Sequence, residues 1–171
     1  MPEHGCVIMS EHSLYAFDIS LHPLPHGAVA GPPYEDDCGV WVTRVAPREA
    51  VHEPFAVPYD EALERFAAIE RMVVEPDGAL LCAAGVAERA WQIDGTAWDL
   101  GGRLLRVDVR GTCPAAMFDG LLGACGWPEQ QVLVQLVRPA VFLAEVTFRS
   151  HATARWTRAT GATLRVRGPF S

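Results

Sequence analysis

Glycine marks three closely spaced chain reversals in the middle of this sequence. The stretches MVVEPDGALLCAAG, RAWQIDGTAWDL and DLGGRLLRVDVRG each read as a strand, a turn and a strand. The turns fall at Asp77-Gly78, Asp94-Gly95 and Gly101-Gly102. Glycine suits these positions because the central residues of tight hairpins need positive φ angles. Three hairpins in a row predict an antiparallel meander of about four or five strands.

The last strand of this meander alternates in polarity. Apolar side chains at Leu105, Val107 and Val109 point one way, and the side chains of residues 106, 108 and 110 (Arg, Asp and Arg) point the other way. A period of two is typical of a sheet with one face on a core and the other face in water. We therefore expect the arginines of this strand to lie on an exposed face.

Two segments carry the apolar spacing of amphipathic helices. The pattern in residues 58–72 includes Ala62, Phe66 and Ile69, and it continues to Val73 just beyond. Residues 111–128 begin with Thr112 or Cys113 as the N-cap, with Pro114 just inside. Gly126 suits the left-handed position that ends the second helix, and Pro128 prevents continuation.

Flanking segments complete the predicted fold. Residues 21–58 contain seven prolines, and residues 21–39 read as an extended loop between strands at 13–21 and 39–45. Strands at 130–138 and 140–148 follow the second helix. The fold class is therefore α+β, with an antiparallel meander sheet, two main helices packed on one face and a proline-rich N-terminal extension.

The length of 171 residues suits one domain covering residues 1–171. Within it we distinguish a strand and proline-rich extension at 1–58, a helix-meander-helix-hairpin core at 59–149 and a basic tail at 150–171. Half of the residues are hydrophobic and 20% are charged, as expected of a globular protein.

Composition also bears on the origin and location of the protein. All fourteen basic residues are arginine, and neither lysine nor asparagine occurs. Both have AT-rich codons, so a GC-rich, bacterial genome explains their absence. No apolar run reaches the length of about 18 residues that a membrane-spanning helix needs, and no secretory signal is evident at the start. We expect a cytoplasmic protein.

Charge is unevenly distributed along the chain. The net charge is −7, yet residues 146–171 contain five arginines and no acidic residue. The acidic body argues against nucleic acid as a partner. The basic tail is expected to lie on the acidic surface of the protein or to fray at its end, although an anionic partner is a third possibility.

The cysteine and histidine residues suggest few candidate disulfides, nucleophiles or metal sites. Cys113 and Cys125 flank a predicted helix, which places them too far apart for a disulfide. Cys113 is either a thiol activated by the helix N-terminus or a buried apolar residue, and the second reading is favoured. His22, His26 and Cys38 form a weak candidate metal site, because prolines keep this segment from being helical. We expect neither a metal nor another cofactor.

The sequence Asp94-Gly95-Thr96 matches part of the Asp-x-Asp-Gly-Thr motif of haloacid-dehalogenase-like phosphatases. In those enzymes the first aspartate is the nucleophile, and Gln92 stands at that position here. Glutamine cannot form an aspartyl-phosphate. A hairpin turn, across which Trp91 and Trp98 pack, is the preferred interpretation.

No catalytic set emerges from the residues, so the interpretation leans away from an enzyme. The leading hypothesis is a non-catalytic domain that binds another protein through an exposed sheet face. Its candidate residues are Trp91, Trp98, Arg103, Arg106 and Arg110.

The alternative is a small enzyme or a small-ligand-binding protein. Its cleft would lie between the proline-rich segment and the sheet, lined by Tyr34, Trp41 or Trp98. The sequence leaves the oligomeric state and the identity of any partner open.

Overall fold

The computed structural model describes residues 13–166, apart from the side chains of Glu88 and residues 162–166. The rest of the N-terminal extension and of the basic tail lies outside the described residues. The strands are β1 (Tyr15–Pro23), β2 (Val29–Ala30), β3 (Tyr34–Asp36), β4 (Gly39–Trp41), β5 (Arg44–Val45), β6 (Met72–Val74), β7 (Ala79–Ala84), β8 (Trp91–Leu100), β9 (Arg103–Cys113), β10 (Val132–Leu136) and β11 (Val141–Ala144). The α-helices are α1 (Tyr59–Ala67), α2 (Ala115–Ala124) and α3 (Glu145–Val166).

Nine of the described strands form one antiparallel sheet in the order β2-β5-β11-β10-β1-β9-β8-β7-β6. Strands β6 to β9 are neighbours in the sheet as in the chain, so the predicted meander is confirmed. The remaining two strands, β3 and β4, pair in a separate hairpin. The α+β class with an antiparallel sheet is correct.

The core lies between one face of the sheet and the helices. Phe17 of β1 meets Phe118 of α2 at 5.8 Å and Phe148 of α3 at 6.0 Å between ring centroids. Phe66 of α1 is fully buried in the same apolar cluster. The helices therefore share one face of the sheet, and a third helix joins the two that the sequence predicted.

Two of the three predicted turns are correct. Gly78 has a φ angle of 91°, and Gly101 and Gly102 have φ angles of 61° and 83°. The predicted turn at Asp94-Gly95 is wrong, because both residues lie inside the continuous strand β8. A Cβ at Gly95 would lie 2.2 Å from the backbone oxygen of Asp108. This glycine allows neighbouring strands to approach closely and does not reverse the chain.

A β-bulge between Trp98 and Asp99 shifts the register of β8 against β9. Because of this shift, Leu104 is fully buried and Leu105 is only half-buried. The alternation of Arg106, Asp108 and Arg110 onto the other face follows the prediction.

The helices differ from the sequence prediction at their ends. Helix α1 stops at Ala67, and Val73 is an exposed residue of β6. Pro114 itself is the N-cap of α2, and Gly126 adopts the expected left-handed φ of 104° beyond its end. The predicted strand at 140–148 is wrong in its second half, since β11 ends at Ala144 and α3 follows at once.

Helix α3 contains the first part of the basic tail. Arg149 forms ion pairs with Glu145 and, at 2.7 Å, with Asp119 of α2. Arg158 pairs with Asp37. Contact with the protein's own acidic groups is thus correct for these two arginines.

The described part of the proline-rich segment forms short strands and no α-helix. In place of the predicted strand at 39–45 there are two, β4 and β5, separated at residues 42–43. The buried hydroxyl of Thr43 donates to the carbonyl of Pro32 at 2.6 Å and ties the two sides of the segment together. Hairpin β3–β4 contacts α3, where Asp36 and His151 are hydrogen-bonded.

Strand β1 is longer than its neighbour β10. The last paired residues of these strands are Ile19 and Leu136, and Val137 N–H then donates to the carbonyl of Asp18 at 3.2 Å. From Tyr15 to Asp18, β1 pairs only with β9. Helix α3 packs beside this free edge.

Among the described helices, none combines the length and apolar character needed to cross a membrane.

Candidate functional site

A cavity of about 500 Å³ opens beside the free edge of β1. We call it the α3 cavity. It is bounded by hairpin β3–β4 from Tyr34 to Cys38, by residues 136–139 at the end of β10, by Asp18 of β1 and by one face of α3. Its volume lies within the range of about 300–1,000 Å³ that is typical of small-ligand sites.

Helical spacing places the α3 side chains in this wall. His151, Arg155, Arg158 and Ala159 follow one another at i, i+4, i+7 and i+8 and line the cavity together. Residues at this spacing share one face of a helix. Because β10 stops early, this face meets open space where a neighbouring strand would otherwise continue.

Asp36 is the centre of a hydrogen-bond cluster in the opposite wall. Its Oδ1 accepts from the backbone N–H of Cys38 at 2.8 Å and from Nε1 of Trp41 at 3.0 Å. Its Oδ2 accepts from Nε2 of His151 at 2.8 Å. Burial raises the pKa of Asp36, but hydrogen bonds from Trp41 and His151 outweigh this and leave the pKa below its usual value.

His151 is held by this cluster and is almost completely buried, with 3% of its surface exposed. The indole of Trp41 packs edge-on against its ring at 5.0 Å between centroids. The second ring nitrogen, Nδ1, is buried and has no hydrogen-bond partner. An unsatisfied buried polar atom costs about 1–3 kcal/mol, and Nδ1 of His22, which does not line the cavity, shares this state.

Cys38 brings a half-buried thiol to the cavity. Burial raises the pKa of this thiol, and the charge of Asp36 raises it further. A raised pKa keeps the sulfur protonated near neutral pH, and the thiolate is the nucleophilic form. The site therefore lacks the electrostatics of an activated cysteine nucleophile.

The residues predicted for a protein interface are only partly brought together. Trp98, Arg106 and Arg110 lie on the sheet face opposite the helices, and 44% of the Trp98 surface is exposed. Trp91 is on the other face and packs against the core, so the predicted contact between the tryptophans is wrong. Arg103 is exposed at the β8–β9 turn.

A polar network organises this open face. Asp108 accepts hydrogen bonds from Ser20 at 2.5 Å, from Nε1 of Trp98 at 2.7 Å and from Nε of Arg106 at 3.2 Å. The Arg106 guanidinium also lies over the Trp98 ring, 5.3 Å from its centre. Arg110 pairs separately with Asp94 at 3.0 Å.

The candidate metal ligands lie apart. His22 is buried on the sheet beside Gln135, whereas His26 is exposed in a turn and Cys38 lines the α3 cavity. Within residues 13–166, no three histidine, cysteine or acidic side chains are grouped to hold a metal ion.

Cys38, Cys82, Cys113 and Cys125 are free thiols. Cys113 is fully buried, and burial raises its pKa to about 12, so the reading as a buried apolar residue is the better one. Among cysteines with described side chains, Cys38 is the one that reaches a cavity.

Sequence reasoning missed the α3 side of the cavity. His151, Arg155 and Arg158 carry a helical spacing that would have revealed one polar face. The signal was hidden because residues 140–148 were assigned to a strand and the following residues to a tail. Of the residues predicted to line a cleft, Tyr34 lines the α3 cavity, whereas Trp98 lies on the open sheet face.

Comparisons of the chain with protein-family models, with curated proteins and with solved structures found no match.

Proposed function

We propose that this protein binds a small molecule in the α3 cavity. The observation that carries the proposal is the combination of a cavity of about 500 Å³ with a nearly fully buried His151 in its wall, hydrogen-bonded to the partly buried Asp36. Ligand sites are typically concave and combine apolar walls with a few fixed polar groups. The α3 cavity has this composition, with Tyr34 and Leu136 among its apolar residues.

The walls come from rigid elements, which favours recognition. Asp36 is fixed by three hydrogen bonds, and Arg149 anchors α3 to α2 through Asp119 at 2.7 Å. Preorganised walls reduce the entropy lost when a ligand binds. Binding is favoured over covalent catalysis because the only described thiol in the cavity has a raised pKa.

A fragment screen with two matched variants tests this function. Ala159→Phe places a ring in the cavity, whereas Thr157→Phe adds the same ring to an exposed α3 position that does not line it. Neutral, anionic and cationic fragments are screened by NMR, with the Trp41 indole N–H as the reporter beside Asp36.

We expect fragments that shift the Trp41 signal to bind the wild type and Thr157→Phe alike. The same fragments should lose binding to Ala159→Phe. If no fragment shifts this signal, or if both variants bind equally well, the proposed function is wrong.

A second candidate function, binding of another protein, is favoured by the exposure of Trp98 on the open sheet face. Asp108 and Arg106 fix its indole, while Leu81 lies exposed on the same face. Tryptophan and arginine are enriched among residues that dominate interface energies. A network that fixes such a residue before binding lowers the entropic cost of association.

Capture from the source cell with matched variants tests this second function. A specific partner should be retained by the wild type and by Val86→Ala, which alters an exposed residue in a loop elsewhere. The same partner should be lost with Trp98→Ala. If all three proteins retain the partner equally, the open sheet face is not the binding surface and the second function is wrong.

A further inference from the structure

The charged groups of the α3 cavity divide into paired and unpaired ones. Asp36 accepts a hydrogen bond from His151, and Asp37 forms an ion pair with Arg158 at 3.4 Å. Arg158 also donates to the backbone carbonyl of Asp37 at 2.8 Å. Two further cations, Arg138 and Arg155, line the cavity and have no ion-pair partner within residues 13–166.

These two arginines come from different walls. Arg138 lies in the turn between β10 and β11, and Arg155 lies one helical turn after His151 on α3. Elsewhere, Arg65, Arg106, Arg110 and Arg149 each have an acidic partner, whereas Arg44, Arg48, Arg89 and Arg103 have no ion pair among the described residues. Of the six arginines with described side chains that form no ion pair, Arg138 and Arg155 are the two that line the α3 cavity.

We propose that the ligand of the α3 cavity is a small organic anion, with a carboxylate or phosphate monoester bound by Arg138 and Arg155. This inference rests on the proposed ligand-binding function. The planar guanidinium group presents paired N–H donors that match the oxygens of either anion.

The remaining walls define the orientation of this ligand. Tyr34, Leu136 and Pro139 offer apolar surface for the organic part. Asp18 lines the sheet side and has no hydrogen-bond or ion-pair partner for its carboxylate among the described residues. Repulsion by Asp18 directs the anionic group away from the sheet and toward the turn and helix that carry the arginines.

Benzoate and benzamide are the first pair of probes, because they have similar shape and differ in charge. Phenyl phosphate and inorganic phosphate form a second set, which separates recognition of a phosphate from recognition of a carboxylate. Dissociation constants are measured by NMR titration of the full chain at low ionic strength, with the Trp41 indole N–H as reporter. Low salt is chosen because chloride screens and competes for exposed cations.

We expect benzoate or phenyl phosphate to bind at least about tenfold more tightly than benzamide, since a hydrogen bond to a charged group contributes more than one between neutral groups. The probe with the lower dissociation constant identifies the preferred anionic group. Phenyl phosphate should also bind more tightly than inorganic phosphate, because the apolar walls contact its ring.

Arg138→Gln and Arg155→Gln should each weaken binding of the preferred anion by about tenfold to a hundredfold. Lysine at either position retains the charge but not the paired donors, so the loss should be smaller. Arg65→Gln, on the surface of α1, is the control and should leave binding unchanged.

Two outcomes would overturn the inference. If benzamide and other neutral fragments bind the cavity as tightly as the anions do, the anion class is wrong while the ligand-binding function stands. If both glutamine variants bind the anion as the wild type does, the assigned arginines are wrong. Failure of every fragment, charged or neutral, would instead contradict the proposed function itself.

Discussion

The two halves of the molecule bury different kinds of side chain. We call β6–β9 with α1 and α2 the meander half, and β1–β5, β10 and β11 with α3 the α3 half. Among the described residues, the buried polar side chains are Ser20, His22, Thr43 and His151, and all four lie in the α3 half. The core of the meander half is apolar.

This difference indicates that the meander half mainly stabilises the fold, whereas the α3 half is the candidate for ligand recognition. Burying apolar surface is the main favourable term in folding, and the meander half supplies it with residues such as Phe66, Ile93 and Phe118. Buried polar groups stabilise little and cost free energy when they lack a partner. All four buried polar side chains lie in the half that holds the α3 cavity, and one of them, His151, lines the cavity itself.

Cysteine labelling should give the largest contrast between the halves. Cys125 is fully buried beneath α2 with a pKa raised to about 12, whereas Cys38 is half-buried at the cavity. We expect iodoacetamide to label Cys38 at least about a thousandfold faster, because Cys125 reacts only after the core opens.

Mass spectrometry of the Cys6→Ser protein measures both rates without interference from the N-terminal thiol. A bound cavity ligand should slow labelling of Cys38 alone. Equal rates at the two positions would contradict the contrast between the halves.

Close strand packing in the meander half predicts the next largest effect. Gly95→Ala should destabilise the protein by about 3 kcal/mol, because the new Cβ meets the backbone of β9 and cannot be accommodated by a side-chain rotation. Gly123→Ala, in open space on α2, is the control and should be neutral or stabilising by up to about 1 kcal/mol. Urea unfolding compares the two; similar stabilities would refute the close approach.

The Asp36 cluster tests the α3 half in the same way. Asp36→Ala removes the acceptor of Trp41, His151 and the Cys38 N–H, and should lower the free energy of unfolding by about 2 kcal/mol. Asp36→Asn keeps one carbonyl acceptor and should lose less.

Asp94→Ala is the matched control, since it breaks an exposed ion pair with Arg110 that contributes less than about 1 kcal/mol. Asp36→Ala should in addition abolish fragment binding in the cavity. If both alanine variants are equally stable and bind fragments normally, Asp36 does not organise the site.

Acid sensitivity is the smallest predicted effect, and it also belongs to the α3 half. Burial lowers the pKa of His22, with opposing contributions from Gln135 and Asp108 and a further lowering by Arg106. The unfolded chain therefore takes up a proton at a pH where the folded protein does not. Stability is fully present above the unfolded pKa of about 6.5 and is lost as the pH falls toward the folded pKa.

His22→Leu should remove this dependence. The wild-type free energy of unfolding is expected to fall by at most about 1.4 kcal/mol per pH unit below neutrality through this one group. Chemical denaturation between pH 7 and pH 5 compares wild type and variant, and the other histidines cancel in the difference. Parallel curves would show that His22 titrates alike in both states.

Local sequence patterns predicted most of the strands and turns of the meander half. Gly78, Gly101 and Gly102 mark real turns because positive φ is a requirement of the local backbone. The prediction at Gly95 was wrong because this glycine is needed where a neighbouring strand approaches closely. Such a tertiary requirement cannot be distinguished from a turn in the local sequence.

The candidate site depends on contacts distant in sequence. Asp36 and His151 are 115 positions apart, and no local pattern links a proline-rich hairpin to the helix after β11. The boundary at Glu145 was also invisible, since apolar residues such as Val146 and Phe148 suit a strand or a helix equally. The predicted cleft and the α3 cavity share Tyr34, but the wall formed by α3 was not foreseen.

Because β10 ends early, the length of this strand determines how much space remains open next to β1. Insertion of a few residues into the β10–β11 hairpin would let both strands extend along Tyr15–Asp18 and replace open volume with backbone. Homologues that differ in this hairpin would then differ in the size of molecule they accept, while sharing the same hydrophobic core. Specificity in such proteins would diverge by insertion and deletion at one turn before it diverged by substitution.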